Sequence, residues 1–106
     1  MILKQLKKIF LTLIIINFIK PSFADDKMAL GLDVYNNRAQ CGVCHILQAA
    51  GSDGLIGPNL DQLKPKLEKV ISTVTNGIGV MPAFQGTLTS KEIEAVAHYV
   101  FNSTNK

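Results

Sequence analysis

The sequence contains no tryptophan, and only two cysteines and two histidines among its 106 residues. Cys41 and Cys44 stand three positions apart. A disulfide between them would close too small a loop to stabilise much, so a disulfide scaffold is excluded. With His45 and His98 they are the only cysteine or histidine donors, and no second paired motif completes a closed zinc site. No segment alternates strongly enough to predict a strand, which removes the βαβ setting of a thioredoxin-type pair. Internal repeats and low-complexity segments are also missing. Nor is there a bilayer-spanning run. Ile9 to Ile19 is almost wholly apolar but only eleven residues long, against roughly 20 for a span, and Lys20-Pro21 closes it.

The flanks of that run explain it. Met1 to Lys8 carries Lys4, Lys7 and Lys8, and Ser22-Phe23-Ala24 has small residues at its first and third places. A basic, then apolar, then small-residue order is that of a secretory signal peptide, cut after Ala24. Residues 1–24 are expected to be this leader and 25–106 a single domain. Ile2 to Ile19 would hold the domain at a membrane only if the leader stayed uncleaved.

Removing the leader changes the charge. The full chain has 11 Lys and Arg against 8 Asp and Glu, a net of +3. Lys4, Lys7, Lys8 and Lys20 all lie in the leader, so seven basic residues face eight acidic ones afterwards, a net of −1. Nothing in the mature chain supports binding to nucleic acid. Its 82 residues include only Tyr35, Phe84, Tyr99 and Phe101 as aromatics. So small a domain has little core and needs a staple, which a buried cofactor tied to the chain would supply.

Three helices are expected from periodicity. Lys27 to Asn37 places Met28, Leu32, Val34 and Tyr35 near one face, with Gly31 among them. Pro65 to Asn76 repeats Leu67, Val70, Ile71 and Val74 at helical spacing, with Pro65 in the first turn and Gly77 as the stop. Thr89-Ser90-Lys91-Glu92 reads as a capping box, flanked by the staple pair Leu88 and Ile93, and opens a helix that frays from Asn102 onward. A short helix is expected to carry Cys44-His45 into Leu47. Residues 48–64 and 77–88 read as loops wrapped around something else.

Cys41-Gly42-Val43-Cys44-His45 is the attachment signature of c-type haem. Two thiols at this spacing reach the two vinyl groups of one porphyrin, and the next imidazole is then held over the iron. The second axial ligand must come from elsewhere. Met81 lies in Gly77-Ile78-Gly79-Val80-Met81-Pro82, where glycines permit close approach and Pro82 fixes the chain beyond the sulfur. Met28 is expected to pack in the core, and His98 to stand exposed on the last helix. The Pro58 carbonyl, in Gly57-Pro58-Asn59-Leu60, is a candidate acceptor for the free N–H of His45, since ligand imidazoles nearly always have one.

These residues resemble a known family, the small class I cytochromes c of bacterial periplasms, over nearly the whole mature chain. Cys41 to His45, Gly57 to Leu60, Met81-Pro82 and Ala97-His98-Tyr99-Val100 occur in the family's order. The resemblance implies an all-α fold of three to five helices around one covalently bound haem. It also implies His45 and Met81 as axial ligands, Pro58 as the His45 acceptor, and Gly31 and Tyr35 packed on Val96 and Tyr99. Thr75-Asn76-Gly77, Met81 to Phe84 and Gly86 to Thr89 are similar to the cytochrome subunit that partners periplasmic sulfite dehydrogenases. The chain departs from many relatives in lacking a Trp for a haem propionate, which leaves Arg38, Asn76 and Tyr99 as candidates, and in lacking a Lys-rich ring.

The expected function is one-electron transfer in the periplasm between redox proteins, through haem c, without catalysis by the chain itself. Two other readings stay open: an electron-accepting subunit of a periplasmic dehydrogenase, and a haem enzyme or ligand-binding protein with an open iron. Val43, Ile46, Pro82, Ala83 and Phe84 are the residues expected to form a small docking patch. With a mature charge near zero, the rate of electron exchange with a partner should vary only modestly with ionic strength. Stopped-flow rates that fall steeply with added salt would contradict this.

Overall fold

The computed structural model describes residues 23–106. The leader lies outside the described residues, apart from Phe23 and Ala24. The elements run in the order α1 (Phe23–Asp33), a wide π turn (Val34–Arg38), a 3-10 turn (Cys41–Val43), β1 (Ile46–Leu47), a second 3-10 turn (Gln48–Ala50), β2 (Ser52–Asp53), α2 (Leu60–Leu63), α3 (Leu67–Asn76) and α4 (Ser90–Thr104). Helix α4 is the hub, with α1 and α3 both packed on it. No helix among the described residues is long and apolar enough to cross a membrane.

The crossing of α1 on α4 is close because Gly31 has no side chain. A Cβ there would collide with the Ala95 carbonyl oxygen and stand 2.6 Å from Tyr99 Cβ. Tyr35 continues the contact, its ring centroid 6.0 Å from that of Tyr99 in a tilted arrangement. Gly31 thus meets Ala95 and Tyr99, while Val96 joins Tyr35 in the buried core. Leu32, expected inside, is 37% exposed, whereas Val34 and Tyr35 are fully buried. Helical spacing is the reason: Val34 and Tyr35 stand three and four residues after the buried Gly31 and share its face, whereas Leu32 directly follows it and lies off that face. Arg38 closes the π turn onto α4, bonding Glu92 at 2.7 Å and Asp33 at 3.1 Å. The Thr89 backbone N–H and Arg38 together hold the Glu92 carboxyl below its usual range.

The capping box forms as expected: Thr89 N–H donates to Glu92 Oε1 at 3.0 Å, and Glu92 N–H to Thr89 Oγ1 at 3.1 Å. Leu88 and Ile93 are both buried beside it. Beyond Asn102 the helix does not fray. Thr104 is buried and its hydroxyl donates to the Val100 carbonyl at 2.8 Å. Helix α3 starts at Leu67 rather than Pro65, because Lys64 is left-handed (φ 47°) and Lys66 extended, which makes Pro65 a buried connector. Gly77 ends α3 at φ 72°, its N–H on the Thr73 carbonyl.

Two other expectations need correction. The chain does contain strands: β1 and β2 pair antiparallel, Ile46 opposite Asp53 and Leu47 opposite Ser52. Two residues are too few for alternation to show. The helical turn near the cysteines spans Cys41–Val43, before His45 rather than after it, since Ile46 and Leu47 are committed to β1. Within the segment read as loop, α2 forms because Asn59 caps it, accepting from the backbone N–H groups of Asp61 and Gln62.

Gly31→Ala should separate α1 from α4 and cost about 1–3 kcal/mol through overpacking. Thermal melts of the parent and the variant check this. An unchanged midpoint would mean that the crossing is not constrained at Gly31.

Candidate functional site

The helices enclose a cleft with about 800 Å³ of empty space including its mouth. Its lining is almost wholly apolar. Val70 and Val74 come from α3, Val96 and Val100 from α4, and Leu60, Leu63 and Pro65 from α2 and its exit. Tyr35 lines it from the π turn. Cys41, His45 and Pro58 enter from the first half of the chain, and Ile78 and Met81 from the loop after α3.

Each functional side chain is positioned by a local device. The carbonyl of Cys41 accepts from both Cys44 N–H (3.1 Å) and His45 N–H (3.0 Å), which curls the five-residue motif into one turn. His45 Nδ1–H donates to the Pro58 carbonyl at 2.8 Å. A carbonyl only accepts, so this bond fixes the tautomer and leaves Nε2 with its lone pair free. Gly57 makes room for the ring: a Cβ there would lie 2.6 Å from Cε1 and 2.9 Å from Nδ1. Met81 sits on a tight turn closed at both ends, Ile78 N–H to Met81 O at 3.1 Å and Met81 N–H to Ile78 O at 2.9 Å. Phe84 N–H then ties the loop to the Val74 carbonyl of α3 at 2.9 Å.

Cys41, His45, Pro58 and Met81 therefore meet on one cleft. Cys44 is half-buried on the same turn but is not among the lining residues. Burial pushes the Cys41 thiol up to about 11, so it is a neutral group of the wall at ordinary pH. Met28 lies away from the cleft, where Asn102 Nδ2 donates to its sulfur at 3.4 Å. His98 is half-buried rather than exposed, and it also stays off the cleft. None of Arg38, Asn76 and Tyr99 lines the cleft. Arg38 is spent on its ion pairs, Tyr99 packs on Gly31 and Tyr35, and Asn76 is exposed at the end of α3. The lining instead offers Lys69 and Thr73, one turn apart on α3. Their i, i+4 spacing beside the Val70–Val74 stripe was the available signal.

The donor set suits a flat apolar macrocycle that brings its own iron. Among the described residues no cluster of three or more His, Cys, Asp or Glu could hold a bare ion. An imidazole with a free Nε2 and a thioether share a cleft whose walls are hydrocarbon.

Residues 26–100 match the family model described as Cytochrome C oxidase, cbb3-type, subunit III. Cytochrome c6 of Nostoc sp. (strain PCC 7120) is 35% identical over 112 residues, covering 94% of this chain and 96% of that protein. The chain belongs to the c-type cytochrome family. This cytochrome is also 34% identical to cytochrome c6 of Gloeothece citriformis, over 97% of its own length and 96% of the relative's. The crystal structure of the c-type cytochrome SorU from Sinorhizobium meliloti superposes with a TM-score of 0.73 at 50% identity, over 77% of this chain and 95% of that one. The cytochrome is thus an electron-transfer protein of the small, mostly helical cytochrome c fold, with four helices.

Gly57→Ala should drive the imidazole off Pro58. The Nδ1 proton resonance of His45, protected in the parent, should then exchange rapidly with solvent. Persistence of a slowly exchanging resonance would show that the loop yields instead of the ring.

Proposed function

We propose that this cytochrome is an exported, periplasmic one-electron carrier with a single haem c, attached through Cys41 and Cys44 and ligated by His45 and Met81. The observation that carries the reading is the meeting of His45, with Nδ1 already committed to Pro58, and Met81 on one apolar cleft. When bound, the haem supplies an Fe(III)/Fe(II) couple. The chain does the rest. Pro58 holds the imidazole in the tautomer whose Nε2 can ligate. The Met81 thioether favours Fe(II), and hydrocarbon walls disfavour the extra charge of Fe(III), so both raise the potential. Lys69, the one charged residue of the lining, with Thr73 beside it, would face the porphyrin carboxylates. With both axial positions filled by protein, no substrate position remains, which speaks against an open-site haem enzyme.

For docking, Val43 is 62% exposed, and Pro82 and Ala83 are exposed. Phe84 turns inward onto the core and is a weaker candidate. Ile78, Val80, Leu55 and Ile56 are strongly exposed and enlarge the apolar face. The partner class is a redox protein. A periplasmic dehydrogenase of the sulfite-oxidising type is a second reading, favoured by the similarity of Thr75–Gly77, Met81–Phe84 and Gly86–Thr89 to cytochrome subunits of such enzymes. Stable co-purification with a catalytic subunit separates a dedicated subunit from a free shuttle. The periplasmic location rests on the leader read in residues 1–24.

Met81→Ala should keep covalent haem but lower the reduction potential, by on the order of 0.1–0.3 V within the roughly 0.8 V that axial ligands span. It should also let the reduced protein bind carbon monoxide quickly. A redox titration and a carbon monoxide difference spectrum check both. A variant matching the parent in both would refute Met81 as a ligand.

A further inference from the structure

Ser52 lies in β2, in a segment without any sequence signal, and its hydroxyl is saturated. A serine hydroxyl has one proton to give and two lone pairs to receive with. Ser52 Oγ–H donates to the His45 carbonyl at 3.0 Å. It accepts from Leu47 N–H at 3.1 Å. The Leu47 carbonyl is a longer alternative acceptor at 3.5 Å. The Tyr35 phenol lies at 2.8 Å, and with the serine proton given to a backbone carbonyl the phenol is the donor there. One small side chain therefore touches the backbone of the haem-attachment motif, a fully buried residue of β1, and an aromatic that lines the cleft. Gly42 leaves space for it: a Cβ there would lie 2.6 Å from Ser52 Cβ.

We propose that Ser52 is a positioning residue for the redox centre, holding the His45 backbone and the Tyr35 phenol in a fixed relation from behind the cleft wall. The inference rests on the reading of His45 as an axial ligand. His45 is then held at two points, its ring by Pro58 and its carbonyl by Ser52. Ser52 does not itself line the cleft, so the phenolic proton is directed away from the cavity that would hold the haem, and the phenol would offer that cavity no positive hydrogen. That orientation would favour Fe(III). Freeing the phenol, or removing it, shifts the balance toward Fe(II). The two effects separate by mutation, because Tyr35→Phe leaves Ser52 free to serve His45 and Leu47.

The test compares the haem-loaded parent with Ser52→Ala, Tyr35→Phe and the double variant. At one fixed solution potential, both single variants should show the reduced-to-oxidised ratio raised about threefold, the scale of one hydrogen bond. The double variant should show no more than Tyr35→Phe alone. The hyperfine-shifted imidazole resonances of His45 should move in Ser52→Ala and stay in place in Tyr35→Phe. A merely structural serine would move neither the ratio nor the imidazole signature. Ser52→Ala with covalent haem, parental ratio and parental resonances overturns the proposal. If Ser52→Ala does not mature, Tyr35→Phe decides, and a parental ratio there overturns it. A parent protein without covalent haem would instead sink the proposed function, and this inference with it.

Discussion

The missing side chain at Gly31 is the constraint from which the cleft follows. It lets α1 lie against the backbone of α4, so close that Tyr99 fills the space a Cβ would need. That contact sets where the π turn ends up, and therefore where Tyr35 and Cys41 enter. The other wall depends on α4 as well, since α3 brings Val70 and Val74 against the same hub. Half of the buried core is thus also cleft wall. Tyr35, Leu60, Val70, Val74, Val96 and Val100 belong to both. A cofactor in such a cleft completes the packing, in keeping with a small aromatic-poor chain that lacks any disulfide.

What the sequence disclosed tracks how local the cause is. The capping box at Thr89 and Glu92 and the stop at Gly77 each depend on a few neighbouring residues, and both are found as expected. The positions that escaped carry no such motif. Leu32 is apolar but lies off the face that Gly31, Val34 and Tyr35 share, and the π turn after it ends on Arg38, which bonds Glu92, 54 positions away. The ribbon at Ile46 and Ser52 is only two residues deep. Thr104 is buried with its hydroxyl on the Val100 carbonyl, four positions back along the helix.

The site divides in the same way. That Cys41 and His45 share a cleft follows from their place in one short motif, and Met81 reaches the same cleft from the turn that carries it. Arg38, Asn76 and Tyr99 stand off the cleft, Arg38 because it is held by two carboxylates, while Lys69 and Thr73 line it from the helix that carries the valines.

The wide turn over Val34–Arg38 has a consequence for how this chain tolerates change in length. An α-helix advances about 100° per residue, and an i→i+5 turn winds less, so the five residues here sweep about the angle that regular helix covers with one fewer. Losing one residue between Val34 and Arg38 would therefore return the segment to regular winding with the cysteine motif still facing the same way against Gly31. A loss within α1 itself would instead rotate the motif by about 100°. The turn thus holds one spare residue, and it is the place where the chain can be shortened by one.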